Sequence, residues 1–219
     1  MNQVSTIDTN NFSAMAQAMG MNADAPKQSA KTSTLARLRI HHSPIMGQQE
    51  IAGKMKNVEV VSGGTYKLEI PDGPTYYADS VSIRPYLQRF MHKKFVMGND
   101  SRPNRYVKTV MANDLNADMK DNDGGFNCGK PAGFIQDWAA LPDNMKDLIR
   151  SIKRVRALFG VVEMVNPTDD QGNSVDVEST PFIWEIDNRD AFKTVGEVFT
   201  KLTKMRRLPP QHYVSMTTT

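Results

Sequence analysis

Between Arg84 and Lys108 the chain sets seven cations, Arg84, Arg89, Lys93, Lys94, Arg102, Arg105 and Lys108, against Asp100 alone, a net +6 in a protein whose whole charge is +3. Tyr86, Phe90, Phe95 and Tyr106 stand among them. Lysine and arginine neutralise phosphates and flat rings stack on unpaired bases, the two things single-stranded nucleic acid asks of a surface. The window therefore reads as a binding face for a polyanion with exposed bases. Arg37 and Arg39 on a neighbouring strand would add to it, and Lys153, Arg154 and Arg156 would extend the groove. The same residues also suit a strand pair whose rings pack inward while its Lys and Arg are simply solvated. A strand alternates faces, so some of the four rings must belong to the core in either case.

Other constellations carry less chemistry. Gly124 to Lys130 fits the first seven positions of a phosphate-binding P-loop, but Pro131 stands eighth, with no hydroxyl for magnesium and no amide hydrogen for a helix start. Asp114, Asp118, Asp121 and Asp123 crowd one segment, yet an EF-hand register through Gly124 would put Met119 and Lys130 at the first and last ligand positions. Asp118-Met-Lys120 with the distant Asp72 is only a faint outline of a metal-dependent nuclease, and a solvated acidic loop accounts for the same residues. His41, His42, His92, His212 and Cys128 show no metal-ligand spacing, and nothing marks a base to activate the one thiol. The chain is read as non-enzymatic, with no cofactor and no metal.

The 219 residues, 39% hydrophobic, suffice for one core. With a single cysteine, no apolar run of membrane-spanning length and no secretory pattern at the N-terminus, the expectation is a soluble cytosolic protein without internal disulfides. Residues 1–33 are poor in aliphatics and read as a flexible arm, in which Phe12, Met15, Ala16 and Met19 could form one face of a helix on a partner. Residues 34–210 read as the single domain and 211–219 as a tail. Ala36, Leu38 and Ile40 alternate with Arg37, Arg39 and His41, a strand with its aliphatics inward. Strands are also expected over 58–61, 66–70, 75–84, 106–111, 155–165 and 181–186, with 58–84 as a hairpin or meander. Residues 113–140 read as an inserted loop. Helices are expected from Asp143 to about Ser151 and after Asp187-Asn-Arg-Asp190, where Ala191, Val195, Val198, Phe199 and Leu202 form a stripe.

This order of strands, inserted loop, helix, strand pair and terminal helix, with its basic aromatic strand and the run from Pro181 to Leu202, resembles the OB-fold single-stranded DNA-binding proteins of tailed bacteriophages. The resemblance implies a mainly β (α+β) architecture, an OB-fold-like barrel with one or two appended helices. It also implies a non-catalytic protein that coats unwound DNA in replication or recombination, with self-association through the arm and replication proteins as partners. The acidic C-terminal tail common in that family has no counterpart in Val214 to Thr219. A virion structural or assembly protein, with the arm and the long loop as contact elements, is the competing expectation. A divalent-metal nuclease is the third.

Overall fold

The computed structural model describes residues 35–99, 103–115, 120–121, 124–131 and 135–218, and the arm expected over residues 1–33 lies outside them. Among the described residues ten strands and two α-helices follow one another: β1 (Ala36–Ile40), β2 (Ile45–Ile51), β3 (Lys54–Val61), β4 (Tyr66–Glu69), β5 (Thr75–Ala78), β6 (Ser80–Val96), β7 (Arg105–Lys108), α1 (Asp143–Arg150), β8 (Lys153–Val165), β9 (Thr180–Ile186), α2 (Arg189–Lys204) and β10 (Val214–Thr217). The chain is mainly β, as its sequence pattern requires. The large sheet runs β10-β6-β8-β9-β1-β4-β5 and is strongly curled into a half-barrel, with β7 added to β6. Only Asp79 separates β5, at one end of that order, from β6, next to the other end, so the chain itself joins the two sides of the curl.

One cluster fills the interior. Ala36 and Leu38 of β1, Leu68 of β4, Val81 and Ile83 of β6, Leu158 and Val162 of β8, and Phe182, Trp184 and Ile186 of β9 are all buried in it, with Val195 from α2. The alternation in β1 puts Arg37 and Arg39 on the other face, exposed. Gly160 permits close packing at the middle of β8, because a Cβ there would collide with the carbonyl oxygen of Arg84. The side chain of Asn188 caps α2, accepting from the amides of Asp190 and Ala191.

β6 carries an irregularity that decides the site. Its register against β8 shifts between Pro85 and Leu87, so Tyr86 is an extra residue, a β-bulge. Before it Val81, Ile83 and Pro85 face the core. Beyond it Gln88 lies opposite Leu158 and Phe90 opposite Arg156, so the inward set has changed from odd to even numbers. Proline, which cannot donate to a ladder, is tolerated at such a place.

Three parts depart from the sequence expectation, the first being residues 75–84, expected as one strand, which divide at Asp79 into β5 and the start of a β6 that runs on to Val96. Residues 58–61 form a strand as expected, within β3, but β3 pairs with β2 in a hairpin that among the described residues pairs only with itself, so of the hairpin or meander expected over 58–84 only β4 and β5 pair with each other; the mostly exposed side chains of β2 leave no alternation to mark it in the sequence. Residues 214–217, read as part of a tail, pair with β6 through Val214 opposite Ile83 and Met216 opposite Val81.

Candidate nucleic-acid interface

Beyond the bulge the odd residues of β6 share a face with their cross-strand partners on β7 and β8. Lys93 lies directly opposite Lys108 on one side and Lys153 on the other, a row of three lysines across three strands. The next row toward the end of β6 pairs Phe95 with Tyr106. Their ring centroids are 5.2 Å apart, and they remain 43% and 58% exposed. Lys93 Nζ lies 4.8 Å from the Tyr106 ring centroid. Successive residues on one face of a strand are about 6.6 Å apart, so the ring pair stands one such step from the lysine row.

Three like charges side by side repel, and the chain offsets them with acids from β9 and the residue after it. Lys108 donates to both carboxylate oxygens of Glu185, at 2.6 and 2.7 Å. Asp187 lies 2.8 Å from Lys93 Nζ and 3.7 Å from Lys153 Nζ. Burial pushes the Asp187 carboxyl up, but the hydrogen bond from Lys93 and the charges of Lys93 and Lys153 outweigh it and hold the group below the ordinary aspartate value. In a flat sheet with strands about 4.8 Å apart, β7 and β9 would stand too far apart across β6 and β8 for Lys108 to meet Glu185. This end of the sheet is therefore curled toward the lysine face. Met91, Val155 and Ala157, on the same face, are buried. Lys93, 12% exposed, is largely enclosed, whereas Lys108 and Lys153 present more of their length to solvent. Arg89 and Leu87 continue the face toward the bulge.

A second cation lies between rings at the bulge. The Arg84 guanidinium is 5.7 Å from the Tyr86 ring centroid and 6.0 Å from that of Tyr213, and its Nε donates to the carbonyl of Pro210 at 2.7 Å. Nothing in the sequence marks Tyr213. It lies just before β10, in a segment with no charge cluster of its own, and only the pairing of β10 with β6 brings it there.

The other candidates are dispersed. Arg37 and Arg39 stand on β1, with Arg39 and Lys67 both paired to Glu69; burial raises the Glu69 carboxyl, but Lys67, Arg39 and Arg37 bring it below its ordinary value. Lys94, Arg105 and Arg154 alternate with the lysine row and belong to the opposite face, and Phe90 and Arg156 face α2. Arg102 lies outside the described residues. Of the residues that the sequence put forward, the cross-strand rows unite Arg89, Lys93, Phe95, Tyr106, Lys108 and Lys153.

The acidic segment has a structural use where it is described. Asp121 is buried, its carboxylate accepting from the amides of Gly125 and Asn127 and from the Asn127 side chain. Asp118 and Asp123 lie outside the described residues. Burial pushes the Cys128 thiol up, with Asp121 acting the same way and Lys94 against it. Among the described residues no group of three His, Cys, Asp or Glu side chains is placed to hold a metal ion, and no helix is long and apolar enough to cross a membrane.

His92, on β6 within the curled end of the sheet, gives the fold an acid limit. It is buried, and burial first, then the charge of Arg154, lowers its pKa below the ordinary histidine value. The unfolded chain then binds the proton more readily than the folded one. Stability is complete above the unfolded value of about 6.5 and falls as the pH drops below it, by at most about 1.4 kcal/mol per pH unit for this one proton. His41 shifts in the same direction, through burial, Lys67 and His42. Urea unfolding across pH 5–8 should show this slope, and His92→Gln should reduce it; an unchanged slope in that variant would remove His92 as its source.

No family model matches this chain, and neither a curated protein sequence nor a solved structure matches it.

Proposed function

We propose that this protein binds single-stranded nucleic acid, DNA in the first instance, along the curled face of β6, β7 and β8, without catalysing a reaction. The observation that carries this reading is the exposed Phe95–Tyr106 pair one row from the three lysines. Rings left about half exposed beside cations suit the two components of a single strand, since bases stack on rings and phosphates pair with cations. Lys108 and Lys153 would take phosphates, Phe95 and Tyr106 would take bases, and the Arg84–Tyr86–Tyr213 cluster would be a second station along β6. Coating of unwound DNA in bacteriophage replication or recombination, in a host cytoplasm and on an OB-fold-like barrel, is the biological setting this reading favours. Self-association through residues 1–33 and contact with replication proteins belong to the same proposal.

The test is fluorescence anisotropy of a labelled oligo-dT of about 30 nucleotides against its duplex across a salt series, with and without magnesium. Three to five phosphate contacts should give a log–log salt slope of about −2 to −3.5 for a single strand. Absence of binding at low salt would end this reading and favour an assembly protein, for which the self-paired β2–β3 hairpin, with Met46, Ile51 and Met55 exposed, would be the contact element. Signal lost only with magnesium would point to a nuclease.

A further inference from the structure

Arg156 lies on the face of β8 opposite to the lysine row, and it is only 7% exposed. Its guanidinium stands between the rings of Phe90 and Phe192, 5.1 and 4.6 Å from their centroids. Nη1 donates to the side-chain oxygen of Gln88. Nη2 rests against α2 where Gly196 makes room, since a Cβ there would come within 2.5 Å of it. Nε is buried with no hydrogen-bond partner, and no carboxylate among the described residues pairs with this side chain. A guanidinium cannot shed its charge at any ordinary pH, so a buried one without an anion is costly. The two ring faces offset only part of that cost.

Beside it an open groove of about 400 Å³ runs between α2 and β6, lined by Gln88, Phe90, Phe199, Thr200, Thr203 and Lys204 together with Arg156 and Gly196. That volume falls within the range of small-molecule sites. The hydroxyls of Thr200 and Thr203 donate to the carbonyls of Gly196 and Phe199 in their own helix. The cations lining the groove are Arg156, largely buried, and the exposed Lys204, with the side-chain amide of Gln88 beside them. Phe90 and Phe199 supply apolar wall.

We propose that this groove binds a small organic oxyanion, a phosphate monoester or a carboxylate carried on an apolar or aromatic body, with Arg156 meeting the anion and Lys204 closing over it. The bound anion would supply the missing counter-charge. This site is separate from the proposed nucleic-acid face and does not depend on it.

The experiment uses the full chain, with phenyl phosphate and benzoate as probes and sodium chloride at matched ionic strength as reference. A ligand that binds only the folded state raises the thermal midpoint saturably, and titration calorimetry gives its affinity. A saturable rise with one probe or both is expected, and the stronger probe identifies phosphate or carboxylate chemistry. Lys204→Met should weaken the affinity on the order of ten- to a hundredfold, as expected when a charge-assisted hydrogen bond is removed. Arg156→Met should abolish the effect. Gly196→Ala keeps the arginine and a sound helix but pushes the guanidinium into the groove, so it should block binding while the chain stays folded by circular dichroism, whatever the fate of Arg156→Met. A midpoint that rises no more than in chloride, or equally in Lys204→Met and Gly196→Ala, would overturn the site. Displacement of phenyl phosphate by oligo-dT would also overturn it, by making the groove part of the nucleic-acid path.

Discussion

Phe182→Ala is expected to lower the unfolding free energy by about 3–5 kcal/mol. Phe182 is 0% exposed and belongs to the main core cluster. It lies between Gly160 of β8 and Ala36 of β1, two positions with almost no side chain, so its ring fills space that neither neighbour can reclaim. Gly160 cannot be enlarged to compensate, because the Arg84 carbonyl occupies the place of its Cβ. The cavity should stay open, which puts the cost toward the upper end of the range. Domains of this size carry about 5–15 kcal/mol in all, so the variant stands near the limit of folding. Urea unfolding followed by circular dichroism measures it, with Phe182→Leu expected to recover part of the loss. A loss under about 1 kcal/mol would mean that the core is not closed around β9.

The parts of the fold that were readable in the sequence are those where one strand settles its own face. In β1 the alternation of Ala36 and Leu38 with Arg37 and Arg39 is the burial pattern itself, and in β9 the run Phe182, Trp184 and Ile186 is the inward set. The site was readable in composition but not in orientation. From sequence alone, Phe90 and Phe95 in a regular strand must face opposite ways, but which faces outward depends on the register upstream. The extra residue at Tyr86 reverses the parity and turns Phe95 and Lys93 to the ring-and-lysine face while Phe90 goes under α2. A bulge is fixed by the partner strand, and β8 begins only at Lys153, after β7 and α1, so no local pattern around Tyr86 announces it. The acids were missed for a related reason. Glu185 sits in a strand that reads as apolar, and Lys108, 77 residues away, finds it only because this end of the sheet is curled. Arg156 read as one more cation of a basic triplet extending the binding groove, and its burial depends on a helix that begins at Arg189.

Phe95→Ala and Tyr106→Ala should each weaken binding to oligo-dT by about ten- to a hundredfold, because removing one stacking ring costs about 1–3 kcal/mol. Their rings touch, so either one alone already disturbs the platform, and the double variant should lose less than the sum of the two. Both rings are substantially exposed, and the folded state should change in stability by under about 1 kcal/mol. The decisive feature is the salt dependence. Neither substitution removes a charge, so the slope of log affinity against log salt should stay where it was while the whole line drops. Lys108→Gln and Lys153→Gln should do the reverse and flatten the slope by about 0.7 for each phosphate no longer neutralised. The lysine variants carry a complication that can itself be measured: removing Lys108 leaves Glu185 without its partner beside the path of the strand, and the added repulsion should make this variant weaker than Lys153→Gln. Lys108→Gln combined with Glu185→Gln separates the two effects, since it restores neutrality at that point and should recover the part of the loss due to the orphaned carboxylate. If the ring variants changed the slope, or bound as tightly as the parent, the pair would be a hydrophobic contact of another kind and the lysine row alone would carry the nucleic acid.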